Sequence, residues 1–495
     1  MKQKIGKRTA AFLCLILAVS AFAGCGGGEF DKMAEGLSTY KIEAALDRDN
    51  MRVTAKMDVK YVNGGQSILN GVSFHLYPNA YREGARFSPV NAEDWDDAYP
   101  NGVSYGGISV SNLTVNGMAA EVNVTGEDEN ILSVALTKPL YPTDSVNIGM
   151  EFTVTLPNMR HRLGHYEGAV NLGNWYPIAC VSGENGFYTD PYYDRGDPFF
   201  SEVANYDVTL TVPKDMTAAL SGVTTRSETG GTAVYHSTER AIRDFAAIAG
   251  AFKTLATQAA GIDVEYYYQK DAAPEVSLMA AVDAVKTFSD LFGAYPYKSY
   301  KAAETHFLQG GMEYPTLVFI SDVLDRETFT EAIVHETAHQ WWYGVVGNNQ
   351  IDHAWMDEGL AEYSTTMFYE RNPDYNVDAQ KRIATTLASY VVYYEKTANR
   401  GRDSSMTRRV NEYYNQFEYA LLTYKKGELM FESIRMNIGS ENFLNGLKAY
   451  YKDMSYKIAA PDDLIGRMET ASKKTVKPLF DSWLDGNVQL FGGVI

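Results

Sequence analysis

The amino-acid sequence predicts a multidomain α+β protein, an all-β, sandwich-like N-terminal part followed by a mostly helical C-terminal part. Three observations carry this: two-residue periodicity through the first half, a switch to helical spacing near residue 257, and a length of 495 residues, long for one core.

The first half alternates as half-buried strands do. Val53, Ala55, Met57, Val59 and Tyr61 fall on one face, as do Val146, Ile148, Met150, Phe152 and Val154, and Tyr206, Val208, Leu210 and Val212. Gly, Asn, Asp and Pro clusters punctuate these runs. Residues 175–200 form the longest irregular insertion. Its acidic part, 190–197, lacks the ligand spacing of a calcium loop and reads as a solvated loop.

A further strand is expected over residues 262–268, after which the period changes. Leu278, Val282, Val285, Phe288 and Phe292 share one helical face, and Gly293 with Pro296 stops that helix. Helices are expected over 327–346, 358–370, 377–397, 414–438, 440–453 and 461–484, with strands near 301–308 and 316–320. The expected domains are a signal peptide at 1–24, a flexible tether at 25–38, a β domain at 39–257 and a second domain at 258–495.

Lys2, Lys4, Lys7 and Arg8 precede an apolar run from Ala10 to Ala23, too short to span a bilayer as a mature helix. The run ends Ala21-Phe22-Ala23-Gly24-Cys25. Small residues before a cysteine resemble a bacterial lipobox, which implies acylation of Cys25, attachment to the outer face of a membrane, and glycines beyond it as a tether. Cys14 would leave with the signal and Cys180 would remain alone, so no disulfide framework is expected. The net charge of −18 grows more negative by four when the leader is removed. Such a surface repels phosphate backbones, which argues against a nucleic-acid partner.

The chemistry is concentrated in His335-Glu336-Thr337-Ala338-His339. Residues four apart on a helix share a face, so both imidazoles can reach one metal ion. Glu336 sits one step round the helix, beside the metal, where a base can take a proton from an activated water. Glu358 opens the next helical segment, 355–363, and completes a two-His-one-carboxylate set that leaves one tetrahedral position of zinc open. Glu362, one turn further, is a second acidic candidate that the spacing places behind the ligands. His161 and His165 are also four apart, but Pro157 and Gly164 break any helix there and no metal is expected.

Four motifs in order resemble the gluzincin aminopeptidases of the membrane alanyl aminopeptidase (aminopeptidase N) family. They are Gly310-Gly311-Met312-Glu313-Tyr314, the His335–His339 motif, Glu358 at the family spacing, and Tyr424-Lys425-Lys426-Gly427. The resemblance covers nearly all of the mature chain and implies a thermolysin-like catalytic domain holding one zinc ion. It also implies roles. Glu313 would bind the free α-amino group of a peptide, and Gly310, Gly311 and Met312 would line the substrate backbone. Tyr424 would donate to the oxyanion, with Tyr419 as the alternative. Tyr314 stands where the family has Asn, and Asp357 where Asn is common before the glutamate ligand. A second amine-binding residue from the β domain is expected, with Asn171 as its candidate. The chain ends near where the family's catalytic domain would end, so a more open site is expected.

The expected activity is removal of N-terminal residues from peptides. The alternatives are an endopeptidase of the thermolysin type, against which Glu313 argues, a non-catalytic surface-binding lipoprotein, and a hydrolase of non-peptide substrates.

Overall fold

A computed structural model of the chain describes residues 27–398 and 403–486. The expected signal peptide and Cys25 lie outside the described residues.

The alternating runs form one eight-stranded sheet. Its strands are β1 (Thr39–Asp47), β2 (Arg52–Val62), β3 (Gly107–Val115), β4 (Met118–Ala119), β5 (Ser145–Thr155), β6 (Ala204–Pro213), β7 (Val223–Thr229) and β8 (Thr232–Ile242), in the order β7-β8-β6-β1-β2-β5-β3-β4. β1 and β2 pair antiparallel with Ile42 opposite Met57 and Ala44 opposite Ala55. That register sends every second side chain to the same face, and on β2 it buries Val53, Ala55, Met57, Val59 and Tyr61. Two four-stranded sheets complete the β domain. Their Val72, Phe74, Val170 and Ile248 join the same hydrophobic core.

The second part is built on a five-stranded sheet of β9 (Lys253–Ala259), β10 (Ile262–Tyr268), β11 (Ser299–Thr305), β12 (Gly311–Met312) and β13 (Leu317–Ser321), ordered β9-β10-β11-β13-β12. Helices α2 (Pro274–Phe292), α3 (Arg326–Ala338) and α4 (Glu358–Arg371) carry or flank the candidate site. α5 (Ala379–Ala398) and α6 (Gly427–Ile438) pack outside them, followed by α7 (Ser440–Met454), α8 (Pro461–Ser472) and α9 (Lys477–Leu484). Among the described residues no helix is long and apolar enough to cross a membrane.

Several expectations are corrected. The segment 25–38, expected as a tether, carries helix α1 (Gly27–Glu35) docked on the body. Ala34 is buried, its carbonyl accepts from Asn205 Nδ2 at 2.7 Å, and Asp31 pairs with Arg240 at 2.8 Å. The glycines suggested freedom, but the residues just after them find partners on the folded surface. The boundary expected at 257 falls inside β9, which pairs along its length with β10, so the second sheet starts at Lys253. The helix expected over 327–346 ends at Ala338. Beyond it the backbone widens to bonds from Gly344 to His339 and from Val345 to Gln340, and Tyr343 takes φ 131°. The helix expected over 461–484 is two helices, broken where Lys473 turns left-handed at φ 57°. Finally, the 190–197 stretch is no solvated loop: Tyr192, Tyr193 and Asp197 are buried.

Candidate active site

Helix α3 is started by Asp325, whose carboxylate accepts from the Thr328 N–H at 2.9 Å. Its last turn delivers His335 and Glu336, and His339 caps its C-terminal end. Glu358 is the first residue of α4, so its carboxylate reaches back toward both imidazoles. All four side chains are buried.

Three donor atoms converge. His335 Nε2 and His339 Nε2 lie 3.1 Å apart, and Glu358 Oε2 lies 3.4 Å from the first and 3.2 Å from the second. A tetrahedral zinc with bonds of about 2.0–2.1 Å holds its donors roughly 3.3–3.4 Å apart, so this triangle has the right size. The tautomers agree. His339 Nδ1 lies 3.0 Å from the Trp342 carbonyl and must carry the proton, and His335 Nδ1 faces the Glu362 carboxylate at 3.3 Å. Both Nε2 lone pairs are therefore free and face one point, which suits a cation and no hydrogen bond. The donor set fits one zinc ion.

Glu362 thus stands behind His335, as its spacing suggested. Arg382 at 2.5 Å and Lys425 pair with it in turn. Burial works against the Glu362 charge, yet Lys425 and Arg382 hold its carboxyl well below the usual range.

Glu336 lies beside the triangle with its Oε2 buried and without a hydrogen-bond partner. Burial pushes its carboxyl above the usual range, and the two imidazoles oppose that shift. An unpartnered buried carboxylate oxygen is costly in a structural role and suits a proton acceptor.

The glycine motif forms the edge of the five-stranded sheet. β12 pairs antiparallel with β13, Gly311 opposite Ile320, leaving its other edge toward the cavity. Gly310 takes φ +84°, which favours glycine, and Gly311 runs against Glu336 so closely that a Cβ there would overlap Oε1. Glu313 is buried, accepts from Gln350 Nε2 at 3.1 Å, and clusters with Glu336 and His339. Gln350 also donates to Asp357 at 2.7 Å, tying the two carboxylates together. Burial, with Glu358 adding to it, pushes Asp357 up to about 7.

Tyr424 is presented by an unusual turn. Residues Leu421–Lys426 are π-helical between two α-helical stretches, a feature common at functional sites. The Tyr424 ring stacks on His335 at 5.6 Å and its hydroxyl donates to Glu358 Oε1. Burial and the Glu358 charge hold the phenol well above its ordinary range, so it remains a donor. Gly427 touches the backbone of Gly359, a close approach that seats the π turn against α4. Lys426 points away and donates to the Ser404 carbonyl at 2.6 Å.

A cavity of about 260 Å³ joins these groups, lined among others by Gly310, Gly311, Glu313, Glu336 and Tyr424. It is also lined by Asp197 from the β domain, a residue that sequence reasoning missed. Arg162 holds Asp197 at 2.5 Å, while burial and the nearby Glu313 push its carboxyl up. Asn171, the candidate for that place, does not line the cavity. Its amide donates to the His161 and His306 carbonyls and accepts from Thr305, so it stitches the two parts of the fold. Tyr314 also braces the fold, its hydroxyl donating to Asn174 at 2.8 Å.

Among the described residues, both groups able to hold a metal include His339. The His161 ring instead faces the Tyr81 hydroxyl at 2.7 Å.

Comparison with known proteins adds to this. The chain is similar to aminopeptidase M1-A of Oryza sativa subsp. japonica, 24% identical over 90% of this chain and 49% of that protein. It is also similar to aminopeptidase N of Lactococcus lactis subsp. lactis, 27% identical over 44% and 27% of the two chains. The chain thus spans about half or less of the length of these curated relatives. Its fold is that of the M1 zinc metallopeptidase from Deinococcus radiodurans, at TM-score 0.68 and 19% identity over 92% of this chain and 94% of that one. A mutant of that protein has been solved with a Tyr-Ser-Ala substrate. Residues 276–483, which hold both histidines, Glu358, Glu313 and Tyr424, match the family description and make up a Peptidase family M1 domain.

Proposed function

We propose that this chain is a zinc-dependent aminopeptidase that removes N-terminal residues from peptides. The observation that carries the reading is the triangle of His335, His339 and Glu358 donors at zinc spacing, with the unpartnered Glu336 oxygen beside it and the Glu313 carboxylate at one end.

Zinc bound there supplies a Lewis acid that polarises the scissile carbonyl and makes water more acidic. Glu313 and Asp197, from opposite walls, accept from the substrate's ammonium group and fix where the peptide begins. The open edge of β12 receives the peptide backbone as an added strand. Glu336 takes a proton from the attacking water and passes it to the leaving amine nitrogen. The Tyr424 hydroxyl, now donating to Glu358, turns to the oxyanion as charge develops there.

The two-domain boundary is part of the same proposal, as is the lipid on Cys25, which rests on the basic, apolar and small-residue run before it. Helix α1, starting at Gly27, would then hold the body close to the membrane. The aminopeptidase reading is tested with aminoacyl-fluorophore substrates, before and after chelation and again after zinc is restored. Turnover that needs the metal supports it; turnover unaffected by thorough metal removal contradicts it.

A further inference from the structure

The cavity at the histidines does not end at Tyr424. A larger hollow of about 730 Å³ opens beside it, and Glu331, Glu362 and Tyr424 line both. One wall is the first turns of α5, and the other runs from Phe417 through the π-helical turn to Lys425.

The order of groups across the metal site gives the two spaces a direction. Glu313 clusters with His339, whereas Glu362 lies against His335. A peptide with its amine at Glu313 and its first carbonyl over the histidines must leave on the Glu362 side, into the larger hollow. The hollow also has room for more than one residue; spaces of about 300–1,000 Å³ hold drug-sized ligands.

The chemistry of its walls is uneven. Arg382 is consumed by Glu331, Glu362 and Glu428, and Lys425 by Glu362, so these cations hold the metal's surroundings rather than a ligand. Phe417 differs. It is an aromatic residue lining the hollow, yet it is 64% exposed, and Val377 and Leu421 line the same space. A large apolar ring that the fold leaves uncovered beside a catalytic cleft is placed to be covered by substrate.

We infer that this hollow binds the residues downstream of the scissile bond and that Phe417 selects oligopeptides with an aromatic or aliphatic side chain there. This rests on the aminopeptidase reading and names its substrate class: oligopeptides, in preference to aminoacyl amides and dipeptides.

The test compares kcat/KM for an aminoacyl-fluorophore, an alanine pentapeptide, and pentapeptides in which one Phe is moved through positions two to five. Wild type, Phe417→Ala and Phe417→Leu are measured with zinc loaded. At one position Phe should raise kcat/KM over the all-alanine peptide by about tenfold, the size of an ordinary apolar contact. Phe417→Ala should remove that gain and Phe417→Leu should keep most of it. Both variants should cleave the aminoacyl-fluorophore within about twofold of wild type, because it never reaches the hollow. Cleavage of the fluorophore with no dependence on the Phe position, or an equal loss on every substrate in Phe417→Ala, overturns the inference and leaves the aminopeptidase reading standing. No turnover of any free-amine substrate by zinc-loaded wild type removes both.

Discussion

Gly311 and Glu336 are in contact across the cavity, the backbone of the first pressed against the carboxylate of the second. A side chain at Gly311 would displace the Glu336 head group from the position beside the donor triangle. Gly311→Ala should therefore keep fold and zinc but lower kcat by about 10²-fold, the penalty of a misplaced catalytic group. Steady-state kinetics with a zinc assay checks this. A variant with unchanged kcat would mean that Glu336 is not held by that contact.

The metal ligands and the base should separate cleanly. Glu336→Gln keeps the shape and all three donors but cannot accept a proton, so zinc content should be unchanged while kcat falls by about 10²–10⁴-fold. Glu358→Ala removes one corner of the triangle and should lose zinc and turnover together. Metal analysis per chain is the measurement; full zinc in the Glu358 variant would take that residue out of the ligand set.

Tyr424 and Glu358 share one hydrogen bond, and the phenol also stacks on His335. Tyr424→Phe keeps the stacking and deletes the donor, so kcat should drop by about 10²–10³-fold with KM little changed. A change below about threefold would turn attention to Tyr419, whose ring lies 6.1 Å from that of Tyr424.

The contact between the two parts of the fold should depend on pH. Asp244 is buried, which pushes its carboxyl from 3.8 up to about 7 against opposing bonds from the Phe245 N–H, Tyr176 and Asn174. A raised acid means that the folded state keeps a proton the unfolded chain has lost. Its contribution is thus fully present below about 3.8 and is lost as pH climbs toward about 7. Asp244→Asn has no proton to lose, so its Tm should fall less than that of wild type between about pH 4 and pH 7.5. Equal slopes for the two proteins would mean that another group sets the pH dependence.

Much of this was legible in the sequence because its signals are local. Alternation within β2 and β5, and the i, i+4 pair His335 and His339 on one helix, need only a dozen residues to be read. The edge strand Gly311–Met312 is too short to show a period, and only its glycines hint at a close approach. Asp197 left no signal at all. It lies in an irregular stretch, and what brings it to the cavity is Arg162, whose guanidinium also reaches Tyr192 and Met312. Asn171 misled for the converse reason: a polar residue in a strand suggested a site, while its amide closes backbone bonds between layers. Helix α1 shows the same limit, since glycine content speaks for freedom and says nothing of the surface that Phe30 and Asp31 meet.

The central claim is that the carboxylates of Glu313 and Asp197 close one end of the cleft and demand a free ammonium group. The most direct measurement is cleavage by zinc-loaded wild-type protein of two matched peptides, one with a free N-terminus and one N-acetylated. Acetylation removes the charge and adds bulk where the two carboxylates converge. The account predicts release of the first residue from the free peptide and no cleavage of the acetylated one. Equal cleavage of both, or cuts inside the acetylated peptide, would contradict it and favour an endopeptidase.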